Sequence, residues 1–304
     1  MKKTNAVLKV ILCVACAILL VAAGFVTVLS VQAHRQFKDM DTETVHAAPM
    51  KFDTYGNPEN PSVLLMHGMY MDGSMLSYYG TVLSSSYYVI IPTFHGMEGA
   101  SQTVFKSFDG ECEAIEAYVK ENLAGKLDYA YGISMGATAI YHILQRGNIS
   151  LSKAILDGLY VANQGAVAAY MTCTSYYKFH QELLAGQDFD LGMMKIGFKL
   201  MGMGEDEAKA MLRDDMTGNA MTFANMSRAA YANYTYQVDV SAHIEDTVVA
   251  FWCGSKEPYA IKSNRIAKPH VAHYTERIFE NLAHGEFVSK HKEECAKQIA
   301  SFFR

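Results

Sequence analysis

Gly132-Ile133-Ser134-Met135-Gly136 sets a serine between two glycines in a G-x-S-x-G pattern. A serine in this setting does chemistry when it occupies a very tight strand-to-helix turn, where its backbone is strained and its hydroxyl stands clear of the sheet. The glycines two places before and after it let neighbouring backbone approach. The helix that follows aims its N-terminus at the same point and favours a developing negative charge there. The chemistry so served is acyl transfer, in which an activated hydroxyl attacks a carbonyl. The pattern also arises by chance, so its surroundings must support it.

The flanking residues have the required character. Residues 126–131 are short and partly apolar, as a buried strand would be, and residues 137–144 read as a helix. Upstream, the apolar residues 62–66 run into a glycine-containing loop, His67-Gly68-Met69-Tyr70-Met71-Asp72-Gly73, and a helix is expected over 74–84. Residues 87–92 form the next expected strand, followed by Thr93-Phe94-His95-Gly96. Ala114, Ile115, Tyr118 and Val119 give a helical apolar face within 109–122. A strand over 153–156 ends at Asp157-Gly158, and the pattern resumes with a strand over 247–253, the turn Gly254-Ser255-Lys256-Glu257-Pro258 and a helix over 259–267. A last strand is expected over 275–279, then a loop holding His284 and a closing helix over 288–303. This alternation predicts an α/β fold with a mostly parallel central sheet flanked by helices. Its ligand should bind at the carboxyl ends of the strands.

The alternation breaks over about 160–241, which reads as mainly helical and holds nine of the eighteen methionines. Met193, Met194, Met201, Met203, Met211, Met216, Met221 and Met226 lie among Phe189, Phe198 and Phe223. This stretch is expected to be a cap over the carboxyl edge of the sheet. Most of its methionines should pack as ordinary core, and a few should line an apolar pocket, since methionine adapts to irregular surfaces.

The first 33 residues are a separate object. Lys2, Lys3 and Lys9 precede 10–33, a run without charge whose length can cross a bilayer as a helix. The lysines favour a cytoplasmic N-terminus, with the rest of the chain outside. Val31-Gln32-Ala33 resembles a signal-peptide cleavage site, whereas the long apolar run favours an uncleaved signal-anchor. The expected organisation is therefore 1–33 signal-anchor or signal peptide, 34–47 linker and 48–304 the main domain, with an edge strand or hairpin near 47–52. Location follows as single-pass membrane with the domain outside, or secreted if the segment is removed.

The 304 residues are half hydrophobic and carry a formal net charge of −5, with both signs interspersed, which argues against a nucleic-acid partner. Cys112, Cys173, Cys253 and Cys295 lie beyond the apolar segment with no zinc-like or dense-disulfide spacing, and an exported location would permit disulfides. Asn148, Asn225 and Asn233 begin N-x-S/T patterns. The histidines show no tight metal-ligand spacing, and no cofactor is implied.

Four features stand in the order found in the α/β-hydrolase fold superfamily, which the chain resembles over about 48–304: His67-Gly68, the Ser134 turn, Glu257 after a late strand, and His284 in Ala-His-Gly. The resemblance implies a capped serine hydrolase with Ser134 as nucleophile and His284 as general base. Glu257 occupies the acid position, and the backbone N–H groups of Met69 and Met135 form the oxyanion hole, with Tyr70 as a further contributor. Glu257 stands where Asp is commoner, and Asp157, also at a strand end, is the rival acid. Thr93 replaces a frequent Asp, a change expected to alter loop bonding only. His67 is expected to organise its loop, and His95 and Glu98 to lie at a loop surface.

The implied activity is hydrolysis of carboxylic esters or related acyl bonds of small to medium hydrophobic substrates through an acyl-enzyme. A peptidase or amidase with the same residues, lipase-like activity near a membrane, and a non-catalytic tethered binding protein are the competing expectations.

Overall fold

The computed structural model describes residues 2–38, 49–98, 103–192, 194–216 and 221–304. Helix α1 (Lys2–Lys38) leads, followed by strands β1 (Lys51–Tyr55) and β2 (Ser62–Met66). A 3-10 turn (Gly73–Leu76), α2 (Ser77–Leu83), β3 (Tyr88–Thr93) and α3 (Phe108–Leu123) come next. They are followed by β4 (Lys126–Ile133), α4 (Met135–Arg146) and β5 (Ser150–Asp157). Among the described residues, four helices then interrupt the alternation: α5 (Gly165–Leu184), α6 (Met194–Leu200), α7 (Glu205–Met216) and α8 (Phe223–Tyr234). The chain returns through β6 (Ile244–Gly254), α9 (Pro258–Ala267) and β7 (Val271–Phe279), and ends in α10 (Glu286–Lys290) and α11 (Lys292–Phe303).

The seven strands form one sheet in the order β1-β3-β2-β4-β5-β6-β7. Only β1 runs antiparallel to its neighbour. All five residues of β2 are buried, because helices cover both faces of a parallel sheet. The pleat sends alternate residues to two cores. Leu64, Ile90 and Ala130 pack with Ile140 of α4 on one face. Val63, Leu65, Tyr131 and Ile155 pack with Ile299 and Phe303 of α11 on the other.

Several elements differ in extent from the sequence expectation. The helix expected over 74–84 is a 3-10 turn followed by α2, because the Asp72 side chain caps Ser74 and starts a tight turn. The closing helix is divided near His291, whose backbone leaves the helical region at φ −114, ψ 41. Strand β7 begins at Val271 rather than 275, since pairing with β6 supports residues whose side chains are mostly exposed at the sheet edge. β1 lies at 51–55; residues 47 and 48 of the expected edge element lie outside the described residues.

Helix α1 passes Ala33 without a break and continues to Lys38, so 34–38 are helix rather than linker; the expected linker residues 39–47 lie outside the described residues. Its segment Val14–Lys38 is long and apolar enough to cross a membrane or serve as a signal sequence. Its last turns rest on α5 and α8. Ala33 is buried, Gln36 Nε2 donates to Ser227 Oγ at 3.3 Å, and the Phe37 ring lies 4.7 Å from that of Tyr231.

Cys112, Cys173, Cys253 and Cys295 are free and buried. Of the three N-x-S/T asparagines, Asn225 and Asn233 are buried in the cap, leaving Asn148 at the surface.

Candidate active site

Ser134 stands between β4 and α4 with φ 56 and ψ −117, a conformation that non-glycine residues adopt only under constraint. Its N–H donates to the Asp157 carbonyl at 2.8 Å, which ties the turn to the end of β5. Both flanking glycines are sterically required. A Cβ at Gly136 would lie 2.3 Å from the Met66 carbonyl oxygen, and one at Gly132 would lie 2.6 Å from the Gly136 carbonyl carbon. The spacing read in the sequence is thus the spacing at which β2, the turn and α4 come into backbone contact.

Glu257 precedes α9, with Pro258 at the helix start, and its side chain makes no helix cap. The carboxylate turns back instead. Its Oε1 accepts the Gly254 N–H at 2.5 Å, and its Oε2 lies 2.6 Å from His284 Nδ1. Glu257 is buried, so this pair is shielded from water. Burial alone would lower the His284 pKa, but the Glu257 carboxylate, by charge and by hydrogen bond, outweighs it and holds the imidazole above its ordinary value. With Nδ1 donating to Glu257, Nε2 is the nitrogen left to accept a proton.

Asp157 ends the neighbouring strand but has another partner. It accepts the Tyr131 hydroxyl at 2.8 Å and is buried. Burial first, and the Glu257 carboxylate second, push its pKa up to about 7. The carboxylate that engages His284 is therefore Glu257, and Asp157 is a buried neighbour.

The oxyanion candidates lie on either side of Ser134. Met135 begins α4, where the first N–H groups have no intrahelical partner. Met69 lines the same cavity as Ser134, and the preceding Gly68 approaches Ser134 closely enough that an added Cβ would sit 3.8 Å from the serine Cβ. The Tyr70 hydroxyl donates to the Met226 carbonyl at 2.9 Å and ties the loop to α8.

The loop residues act as scaffolding. His67 is fully buried; Nε2 accepts the Phe94 N–H at 3.1 Å, and Nδ1 lies 2.8 Å from the Gly68 carbonyl. Burial lowers its pKa to about 4, so it remains neutral. Thr93 Oγ1 accepts the Gly73 N–H at 3.0 Å, joining the two loops. His95 and Glu98 are half-buried rather than fully at the loop surface: His95 Nδ1 lies 3.1 Å from Glu111 of α3, and Glu98 accepts the Thr103 N–H at 3.0 Å.

Ser134 and His284 open on one cavity of about 960 Å³. From the core domain Met69, Met71 and Met75 line it; from the cap, Met171, Met194, Met201 and Met203 do. Met221 and Met226 are core residues instead, as are Phe189 and Phe198. Phe223 packs against that core at its edge. The side chains of Met193, Met211 and Met216 lie outside the described residues.

The cap also does something no motif announced. The Met201 carbonyl accepts the His284 N–H at 3.0 Å, and Gly202, at φ 82, lies so close to Lys256 that a Cβ would fall 2.6 Å from the lysine Cβ. The loop between α6 and α7 thus rests on both the histidine loop and the acid turn.

No protein-family model matches the sequence, and no curated protein matches it. Solved structures do match. A protein described as of the alpha/beta hydrolase family from Desulfitobacterium hafniense is 22% identical, with TM-score 0.73, covering 84% of this chain and 100% of that one. A thermophilic esterase from Thermogutta terrifontis is 16% identical, with TM-score 0.63, covering 86% and 96%. An enol-lactonase from Burkholderia xenovorans is 14% identical, with TM-score 0.59, covering 83% and 95%. The chain has the α/β-hydrolase fold. Within that fold, the described geometry brings Ser134, His284, Glu257, Met69 and Met135 to one end of the sheet, beneath the helical insertion.

Proposed function

We propose that this α/β-hydrolase-fold chain is a serine hydrolase that cleaves carboxylic ester or related acyl bonds of small to medium hydrophobic substrates. The observation that carries the reading is the 2.6 Å His284–Glu257 hydrogen bond, opening on the same cavity as a serine at φ 56. His284 Nε2 takes the proton of Ser134 as Oγ attacks the substrate carbonyl. The N–H groups of Met69 and Met135 stabilise the oxyanion, a contribution of about 3 kcal/mol for one well-aimed donor. His284 then protonates the leaving group, and a water activated by the same nitrogen releases the acid. The apolar lining suits an uncharged acyl portion. Fold likeness to esterases and a lactonase agrees with this chemistry but does not select ester over amide.

The apolar segment of α1 would hold the domain at the outer face of a membrane, with Lys2, Lys3 and Lys9 inside. The test is labelling with a fluorophosphonate probe, paired with turnover of short and long p-nitrophenyl esters, in the wild type and Ser134→Ala. Both signals should vanish together in the variant. A folded wild type that neither labels nor turns over, with or without lipid vesicles, would favour a tethered binding protein instead.

A further inference from the structure

Helix α1 does not hang free of the domain. Over residues 26–38, Leu29, Ala33, Gln36 and Phe37 are the ones partly or wholly covered, and they recur at i, i+4, i+7 and i+8, one face of a helix. That face rests on the cap. Gln36 Nε2 donates to Ser227 Oγ at 3.3 Å, and the Phe37 ring lies 4.7 Å from that of Tyr231. Ser227 Oγ in turn donates to Cys173 Sγ of α5 at 3.6 Å, so α1 sits over the seam between α5 and α8.

Helix geometry fixes the height of this contact. Between Lys9, the last charge before the apolar run, and Ala33 the helix rises about 36 Å at roughly 1.5 Å per residue. The hydrocarbon core of a bilayer is about 30 Å thick, and headgroups add about 5–8 Å on each side. With Lys9 at the inner boundary, α1 leaves the hydrocarbon near Leu29. The docked face, from 29 to 37, then spans the headgroup layer and ends just outside it.

The cap face at that height suits a lipid surface. Helix α8 carries one charged residue, Arg228, which is buried, and residues 165–177 of α5 carry none. Phe223, Ser227 and Tyr231 recur every four residues on one side of α8, and the Phe223 ring lies 5.0 Å from that of Tyr177 on α5. Tyr231 is 39% exposed, and Phe37, Tyr177 and Phe223 keep part of their surface open. Partly exposed aromatics at a boundary between membrane and water sit at headgroup level. Arg35 and Lys38 stand exposed on the same turns of α1, where anionic lipid groups attract them.

We infer that the α5–α8 face of the cap around Tyr231 is a membrane-docking surface, and that its partner is the headgroup layer of the bilayer that α1 crosses. The inference rests on α1 as the membrane anchor; it does not depend on what the cavity hydrolyses. The helices that meet the lipid also wall the cavity, through Met171, Thr172 and Tyr176 of α5 and Tyr234 of α8. The active site is thereby held about one helix diameter, roughly 10 Å, from the membrane surface.

The test reads tryptophan emission from the full chain in phosphatidylcholine nanodiscs, with and without lipid that carries a nitroxide quencher on its headgroup. Tyr231→Trp places the reporter on the proposed surface. Glu59→Trp places it in the exposed loop between β1 and β2, at the amino ends of the parallel strands and so at the opposite end of the sheet from the cap. The wild-type signal, from the buried Trp252, is subtracted. The Tyr231→Trp reporter should lose about half its emission, as expected within or beside a quencher layer about 5–8 Å deep, and the Glu59→Trp reporter should be unaffected. Tyr177→Trp serves as a second reporter on the same face if Tyr231→Trp does not fold. Quenching at 231 and 177 no stronger than at 59 overturns the surface. A chain that alkaline carbonate strips from vesicles overturns the anchor, and the surface with it. Failure of the hydrolase reading would show separately, as absence of Ser134 labelling by the fluorophosphonate probe.

Discussion

Replacing Glu257 with glutamine is the most discriminating perturbation, because the two oxygens of this carboxylate have different duties. Oε1 accepts the Gly254 N–H at 2.5 Å, and Oε2 faces His284 Nδ1 at 2.6 Å. A glutamine can keep the first contact only by placing its carbonyl oxygen toward Gly254. Its NH2 group then meets Nδ1 as a donor, so Nδ1 must give up its proton and Nε2 must carry one. An imidazole protonated at Nε2 cannot receive the Ser134 proton. The opposite amide orientation sets two donors against each other in a buried site, which is also unfavourable. An amide in place of a triad carboxylate is expected to lower kcat by about 10⁴. That is roughly 5 kcal/mol of lost transition-state stabilisation. The assay is turnover of a short p-nitrophenyl ester, with circular dichroism to verify folding. Asp157→Asn is the partner experiment. Its amide oxygen can still accept the Tyr131 hydroxyl, and the Asp157 backbone carbonyl that holds Ser134 is untouched. Its loss should be under about threefold, since the tautomer of His284 is preserved. A loss under about tenfold in Glu257→Gln, together with a large loss in Asp157→Asn, would refute the reasoning and assign the acid to Asp157.

Four further outcomes follow. Gly136→Ala should abolish probe labelling and lower Tm, because the new Cβ would lie 2.3 Å from a backbone oxygen that has no rotamer to escape into; overpacking of this kind costs about 3 kcal/mol or more. The acid limb of kcat/KM should have its midpoint above 6.5, since His284 must be neutral to act as base and its pKa is raised; in Glu257→Gln the limb should move down. Asp157 loses its proton near pH 4 when unfolded but only near 7 when folded, so between those values the folded protein holds the extra proton and stability falls as pH rises; the drop in Tm from pH 5 to pH 8 should shrink in Asp157→Asn. Adding a reductant should leave Tm unchanged, because Cys112, Cys173, Cys253 and Cys295 are all unpaired.

The Ser134 turn was legible because its constraint is local: glycine at 132 and 136 and a strand-to-helix change of period write themselves into consecutive residues. His67 was legible as a loop organiser for a similar reason, standing beside Gly68 at the end of an apolar strand. The choice between Glu257 and Asp157 was not local. Both follow strands, and β5 pairs with β6, so both carboxylates come to the same end of the sheet. What separates them is side-chain direction. Asp157 is taken by the Tyr131 hydroxyl from β4, while the turn after β6 folds Glu257 back toward His284. Tyr70 could not be placed from its position after His67-Gly68-Met69, because its partner, the Met226 carbonyl, belongs to a helix far along the chain.

By itself, the order of apolar runs, glycine loops and helical stretches determined an α/β sheet with an inserted cap, since each of these signals is a short-range periodicity or a short-range backbone requirement. The apolar N-terminal segment was equally plain, because length and absence of charge are properties of the chain alone. Only the tertiary structure decided which methionines line the cavity and which carboxylate meets His284. It alone also set the Met201 carbonyl on the His284 backbone N–H. Those outcomes depend on where distant helices come to rest, and contacts between residues far apart in sequence leave no mark in the spacing of either partner.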